Sequence, residues 1–294
     1  MPEGRFTKRE DIRTLTRKYF EPIALAGSGT AADVWFCVRV KGVSGNDEKP
    51  FCTVKVAAPH KRDTLRLEVE ALKYFRLLPE SVQPHYQKLL DYHRPKRASE
   101  DLKWMRTGGI VGFPVSLLIP TIQSQPALKP LVLQIALQLC NALQAMRDSN
   151  PPLKHGDIHP ANIMLNIERR GDNVEPTVVM IDFAKGGRAE PKDLDFDRDR
   201  FFTVVADLAL HQHPGAQNDG GWWNAFVKYF VDGRQLQNRT PVFEDFRTRF
   251  EDFARRSWNQ MSANDRSVVE GILSETSRAT TRARLAAYEF LNGS

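Results

Sequence analysis

The sequence predicts an α+β fold in two parts, a small β-rich N-terminal half with one main helix and a mostly helical C-terminal half. Three features carry that expectation. Apolar residues alternate with period two up to Ala57; they recur at three- and four-residue spacing from Leu128 to Arg147; and an apolar, β-branched run, Ile110–Ile122, broken by Pro114 and Pro120, separates the two regimes. The expected division is residues 1–122 and 123–294.

At 294 residues the chain can bury a substantial core, as one large domain or as two packed parts. Its 41% hydrophobic and 27% charged residues match a soluble globular protein, and no apolar run is long enough to span a bilayer, so no membrane role is expected. Met1–Lys18 is polar and lacks the apolar centre of a secretory leader. Cys37, Cys52 and Cys140 are odd in number and widely spaced, which argues against a disulfide framework and against a zinc site of paired cysteines. A reducing, cytoplasmic setting is the expectation, with leaderless export left open. The net charge of +6 suits an anionic ligand, but the basic residues are scattered and none form an aromatic-interleaved motif. A nucleic-acid partner is not signalled.

Along the chain, Ile23–Val40 reads as two strands around the small-residue turn Gly27-Ser28-Gly29-Thr30. Lys41–Pro50 reads as a loop, and Phe51–Ala57 as a third strand that contains Lys55. Between Arg62 and Leu78 the residues Leu65, Val69, Leu72 and Phe75 fall on one face of an amphipathic helix, with Glu68 beside them. Pro79–Thr107 reads as irregular with short helical pieces, and Ile110–Ile122 as strands that close the small sheet and then leave it. A core helix over Leu128–Arg147 is stopped by Asn150-Pro151-Pro152. Ile163–Ile167 and Thr177–Ile181 form a hairpin around Arg170-Gly171-Asp172-Asn173, and the chain beyond Phe201 reads as mostly helical.

Chemistry concentrates beside that hairpin. His155-Gly156-Asp157-Ile158-His159-Pro160-Ala161-Asn162 places a carboxylate and an amide five positions apart on a loop that follows a core helix. Phosphoryl transfer needs such a pair: Asp157 to orient or deprotonate the attacking hydroxyl, and Asn162 as an oxygen ligand for the metal on the nucleotide phosphates. Asp182 follows an apolar strand and supplies a second hard oxygen for the same Mg²⁺. Turn chemistry is the ordinary role of each residue alone; the three in this order point to function. His155 and His159 have no companions for a transition-metal set, so a structural role is expected of both. Trp222, Trp223 and Phe226 could line an acceptor pocket, although aromatic residues on a helix more often build core.

These motifs resemble the protein-kinase-like superfamily, which includes aminoglycoside and choline kinases. The loop from His155 to Asn162 is similar to its catalytic loop, and Asp182-Phe183-Ala184 to its Asp-Phe-Gly metal motif. The resemblance implies a bilobal fold with ATP and Mg²⁺ bound between the lobes. It also implies a glycine-rich phosphate loop, matched by Gly27-Ser28-Gly29-Thr30-Ala31-Ala32, in which Ala32 stands where a third glycine often sits. Lys55 is then the lysine that contacts the α- and β-phosphates, paired with Glu68 in preference to Glu70. Asp197 resembles the aspartate at a helix start that braces the catalytic loop, and a helix N-cap would account for it equally well.

Departures from the family pattern narrow the expectation. Gly156 replaces the arginine common in protein kinases, Ala184 replaces a glycine, and only fifteen positions separate Asp182 from Asp197, with no recognisable Ala-Pro-Glu element. A phosphorylation-controlled loop and a long peptide-docking platform are not expected. What the resemblance implies is transfer of the ATP γ-phosphate to a hydroxyl of a small molecule. A compact effector-type Ser/Thr protein kinase and a nucleotide-binding pseudokinase acting as an interaction module are the alternatives.

Overall fold

The computed structural model describes residues 9–15, 20–28, 32–39, 51–58, 61–94, 102–122, 125–170, 173–210, 222–235 and 242–276. Gly29 and the Lys41–Pro50 segment, both interpreted from sequence above, lie outside them, as do the hairpin-turn residues Gly171 and Asp172. The fold is α+β. Helix α1 (Arg9–Leu15) precedes strands β1 (Phe20–Ser28), β2 (Ala32–Arg39) and β3 (Phe51–Ala57), then helix α2 (Arg62–Phe75) and strands β4 (Leu89–Tyr92) and β5 (Trp104–Gly108). These five strands form one antiparallel sheet in the order β1-β2-β3-β5-β4.

Period-two alternation sorts the residues of β3 onto two faces. Cys52, Val54 and Val56 join Ile12 of α1 in a small core on one side, whereas Ala57 joins the main core with Leu65, Val69 and Leu72 of α2 on the other. Lys55 shares the α2 side. The helix itself follows the apolar spacing read from sequence, and Glu68 is buried within its inward stripe. Cys37 and Cys52 face each other in register across β2 and β3 as free, buried thiols, although 15 positions separate them in sequence.

Two expectations are corrected. Ile110–Ile122 does not close the first sheet: β6 (Gly112–Pro114) pairs with β8 (Ile163–Arg170) in a separate sheet of order β6-β8-β9, and a 3₁₀ turn and helix α3 (Ile119–Ile122) follow it. The closing strands are β4 and β5, within a region expected to be irregular. Their register is set by long-range pairing, with Lys55 opposite Met105, and local composition carries little of it. The other correction concerns α5 (Pro191–Leu210), which begins well before Asp197. Pro191 takes the first helical position, and Asp193 reaches back to accept the Glu190 N–H at 2.9 Å, so the cap is built at Glu190, seven residues upstream of Asp197.

Helix α4 (Lys129–Asp148) is the centre of the main core, with Leu131, Val132, Leu133, Ile135, Ala136 and Leu139 almost wholly buried. After the short β7 (Leu153–Lys154) come β8 and β9 (Asn173–Met180), a hairpin three residues longer on β8 than the sequence suggested. Strand β10 (Gly187–Arg188) pairs back onto β7. Helices α5, α6 (Trp222–Gln235), α7 (Val242–Asn259) and α8 (residues 263–276) complete the description. Phe201, Phe226, Phe230 and Phe246 meet edge-on or tilted at their interface, and Trp223 is buried there too, so these aromatics are core. Among the described residues no helix is long and apolar enough to cross a membrane.

The β6–β8 contact requires a glycine. A Cβ built on Gly112 would lie 1.7 Å from the Leu165 carbonyl oxygen, whereas one on Gly271 in α8 would meet nothing within 4 Å. Gly112→Ala should therefore cost about 3 kcal/mol in urea unfolding, and Gly271→Ala should gain up to about 1 kcal/mol from helix propensity. Equal midpoints for the two variants would show that the β6–β8 approach is looser than described.

Candidate functional site

The cross-strand registers place Gly27, Val34, Lys55 and Met105 in one row, because directly paired residues project to the same side of a sheet. Gly27, at the end of β1, thereby lies in the row of Lys55. Ser28 belongs to the neighbouring row and donates its hydroxyl to Asp33 Oδ1 at 2.6 Å. Lys55 itself is 15% exposed and reaches two carboxylates: Glu68 Oε2 at 2.6 Å and Asp182 Oδ1 at 2.9 Å. Glu70, the less favoured candidate, is exposed and pairs with Lys73 on its own helix.

Burial opposes the Lys55 charge, but Glu68 and Asp182 more than offset it and hold the ammonium above the ordinary lysine value. Burial likewise pushes Asp182 up, yet the Lys55 ammonium and its hydrogen bond leave the carboxyl below the usual aspartate value. Glu68 is 1% exposed while Asp182 is 43% exposed, so Asp182 is the carboxylate that remains open to a ligand. In ionised form the three groups sum to one negative charge.

Asp182 is held by its backbone as well as by Lys55. It is a non-glycine residue at positive φ, 63°, in the left-handed region that aspartate tolerates better than most residues. Phe183 behind it is fully buried and packs on Phe75 of α2 at 4.4 Å and on His155 at 4.5 Å between ring centroids, and Phe75 stacks on Tyr86. A column of rings therefore joins α2, the end of β9 and the His155–Asn162 loop.

That loop is held from three directions. Ile163 pairs with Met180, and Ile181 N–H donates to the Asn162 carbonyl at 3.0 Å, which puts Asn162 and Asp182 at the same end of the β8–β9 hairpin. Asn162 Nδ2 donates to the Asp157 carbonyl at 3.0 Å, turning its Oδ1 away from that carbonyl. From below, Asp197 accepts the His155 N–H at 2.6 Å and the Gly156 N–H at 2.9 Å through its two oxygens. The bracing role expected of Asp197 has this geometry, whereas the N-cap alternative fails because the residue lies inside α5.

His155 is buried and donates Nε2–H to the Ile181 carbonyl, while Nδ1 accepts the Asp157 N–H. Only the neutral ring satisfies both contacts, and burial pushes its pKa down to about 4. His159 Nδ1 accepts from Ala161 N–H and caps the short 3₁₀ turn Pro160–Asn162. Both histidines thus serve the loop's shape.

Lys185 was not anticipated from sequence. It donates to Asp157 Oδ1 at 2.8 Å across 28 positions, and a lone lysine beyond the Asp-Phe-Ala motif carries no local signature of that contact. A cavity of about 390 Å³ among Pro84, His85, Gln134, Gln138, Arg255 and Trp258 contains none of the sequence-predicted site residues. Gln138 spends both ends of its amide on β9, donating to the Pro176 carbonyl and accepting from Val178 N–H, so this lining is structural.

The donor set suits a hard cation. Asn162 and Asp182 offer an amide oxygen and an accessible carboxylate, a pair that fits Mg²⁺ shared with phosphates better than an all-protein metal cage. No family model matches the sequence, and no curated protein matches it.

Two titrations beneath the loop oppose one another. His155, depressed from 6.5 to about 4, contributes stability that is complete above the unfolded value and lost as pH falls through the folded one. Asp197, raised by burial from 3.8 to about 6 against its two N–H donors, contributes stability that is complete below the unfolded value and lost as pH rises toward 6. Asp197→Asn removes the second of these. Its stability deficit relative to wild type should grow by about 2 kcal/mol as pH is lowered from 6 to 4. A deficit constant over that range, by urea unfolding at each pH, would show that Asp197 does not titrate there.

Proposed function

We propose that the chain is a bilobal protein-kinase-like phosphotransferase that moves the γ-phosphate of ATP to a hydroxyl group, with a small molecule as acceptor. One observation carries the proposal: Lys55 Nζ lies within 2.9 Å of both Glu68 and Asp182, three residues from separate elements, beside a loop that sets Asp157 and Asn162 at the same hairpin end. In this reading α1, the five-stranded sheet and α2 form one lobe, the chain crosses near residues 109–111, and the part that follows forms the other.

Each residue has a definable task. Gly27 and Ser28 border the turn that would cradle the phosphates through backbone N–H groups. Lys55 pairs with phosphate oxygens, and Glu68, buried and rigid on α2, keeps the lysine in place. Asn162 and Asp182 would hold Mg²⁺, which supplies charge neutralisation on the phosphates. Asp157 aligns the acceptor hydroxyl and receives its proton as the new O–P bond forms.

The segment after Asp182 supports the choice of acceptor class. Only Phe183–Glu190 intervenes before α5 begins, and it is pinned by the β7–β10 pairing and by Ala189 N–H donating to the Pro152 carbonyl at 2.8 Å. That leaves little chain for a peptide-docking platform, which favours a compact, hydroxyl-bearing metabolite over a protein substrate.

Transfer from labelled ATP·Mg²⁺ to a panel of hydroxylated small molecules, and to the chain itself, tests the proposal. Asp157→Asn should lower kcat by about 10²- to 10⁴-fold with intact folding, and Lys55→Met should lower kcat/KM for ATP by about 10²-fold. ATP binding without any transfer, unchanged in Asp157→Asn, would leave a nucleotide-binding module in place of an enzyme. Self-labelling lost in Asp157→Asn would move the acceptor to protein.

A further inference from the structure

We propose that Lys185 is a positioning residue for the transfer, acting through Asp157; the inference rests on the function proposed above and assigns a role to a residue outside every motif named there. Its ammonium holds Asp157 Oδ1 at 2.8 Å. A carboxylate fixed at one oxygen cannot rotate freely about its terminal torsion, so the second oxygen, Oδ2, keeps one direction for the acceptor hydroxyl.

The contact is built by the backbone. Gly156, next to Asp157, has φ +76°, and a Cβ there would meet the Lys185 carbonyl oxygen at 2.6 Å. Only a residue without a side chain lets the two segments lie so close. Lys185 is also anchored on both sides: Phe183 is wholly buried and accepts Gly186 N–H at 2.8 Å, and Gly187 pairs with Lys154 across β10 and β7. The side chain is 65% exposed, yet the chain that carries it is pinned, which makes the ion pair a product of fixed geometry more than of Coulomb attraction in water.

In the transfer step the acceptor oxygen forms a bond to the γ-phosphorus, the bond from that phosphorus to the bridging oxygen of ADP breaks, and the acceptor proton passes to Asp157 Oδ2. Lys185 neither gains nor loses a proton. Its task is to keep Oδ1 occupied, so that Oδ2 is the oxygen that receives the proton.

The test uses the full chain, Mg²⁺ and labelled ATP, with water as the acceptor and release of inorganic phosphate as the readout. Lys185→Met should lower kcat by about tenfold to a hundredfold with the KM for ATP unchanged. Lys185→Arg should recover activity to within about threefold, because guanidinium can occupy the same oxygen. The decisive measurement is the double variant: Asp157→Asn with Lys185→Met should be no slower than Asp157→Asn alone. Multiplicative losses, or a Lys185→Met effect confined to KM, would overturn the proposal and leave Lys185 as a surface or nucleotide contact. Turnover that Asp157→Asn abolishes and Lys185→Met leaves unchanged would overturn it while the proposed function stands. No phosphate release above buffer, in wild type and every variant, would overturn both.

Discussion

A single ammonium joins the parts of this molecule that matter. Lys55 lies on β3, Glu68 on α2 and Asp182 beyond β9, and their shared contacts fix the sheet, the helix and the hairpin end relative to one another. A pair buried to this degree is not a cheap source of stability, since desolvating the charges opposes their attraction. Its value is registry. If the ammonium were lost, two carboxylates would face each other without a countercharge, one of them, Glu68, fully buried, so the three elements are held to one arrangement.

Apolar packing repeats that connection by another route. Phe75 leaves α2 five residues before Glu80 and seven after Glu68, almost two helical turns from the ion pair, and meets Phe183, which immediately follows Asp182. His155 closes the column, and Asp197 ties its backbone to α5. A displacement of α2 would therefore be felt both by the charge cluster and by the rings beneath the loop. Close-packed interiors transmit such shifts because they have few voids in which to absorb them.

Much of this was legible in the sequence, for identifiable reasons. Strand β3 and helix α2 were read with correct limits or nearly so, because a seven-residue alternation and a 65-69-72-75 stripe are strong local signals. The loop residues, and Glu68 over Glu70, followed from motif spacing. Strands β4 and β5 were hidden because they are short, carry Asp91, Arg106 and Thr107, and owe their register to partners far away in sequence. The start of α5 is present in Glu190-Pro191-Lys192-Asp193, a proline at the first helical position with an acid two residues on, but Asp197 fits a helix start equally well by composition and only the fold separates the two. Lys185 had no comparable signal, since an ion pair across 28 positions is a property of the folded chain alone.

The left-handed backbone at Asp182 restricts how this residue can be interrogated. An alanine there would remove the carboxylate and at the same time incur a conformational penalty of order 1–3 kcal/mol, mixing two causes in one number. Asparagine tolerates the same torsion and keeps an oxygen in nearly the same place, so it deletes charge and little else. Substitution at this position thus distinguishes electrostatics from chain geometry only when the replacement shares aspartate's tolerance for the unusual turn.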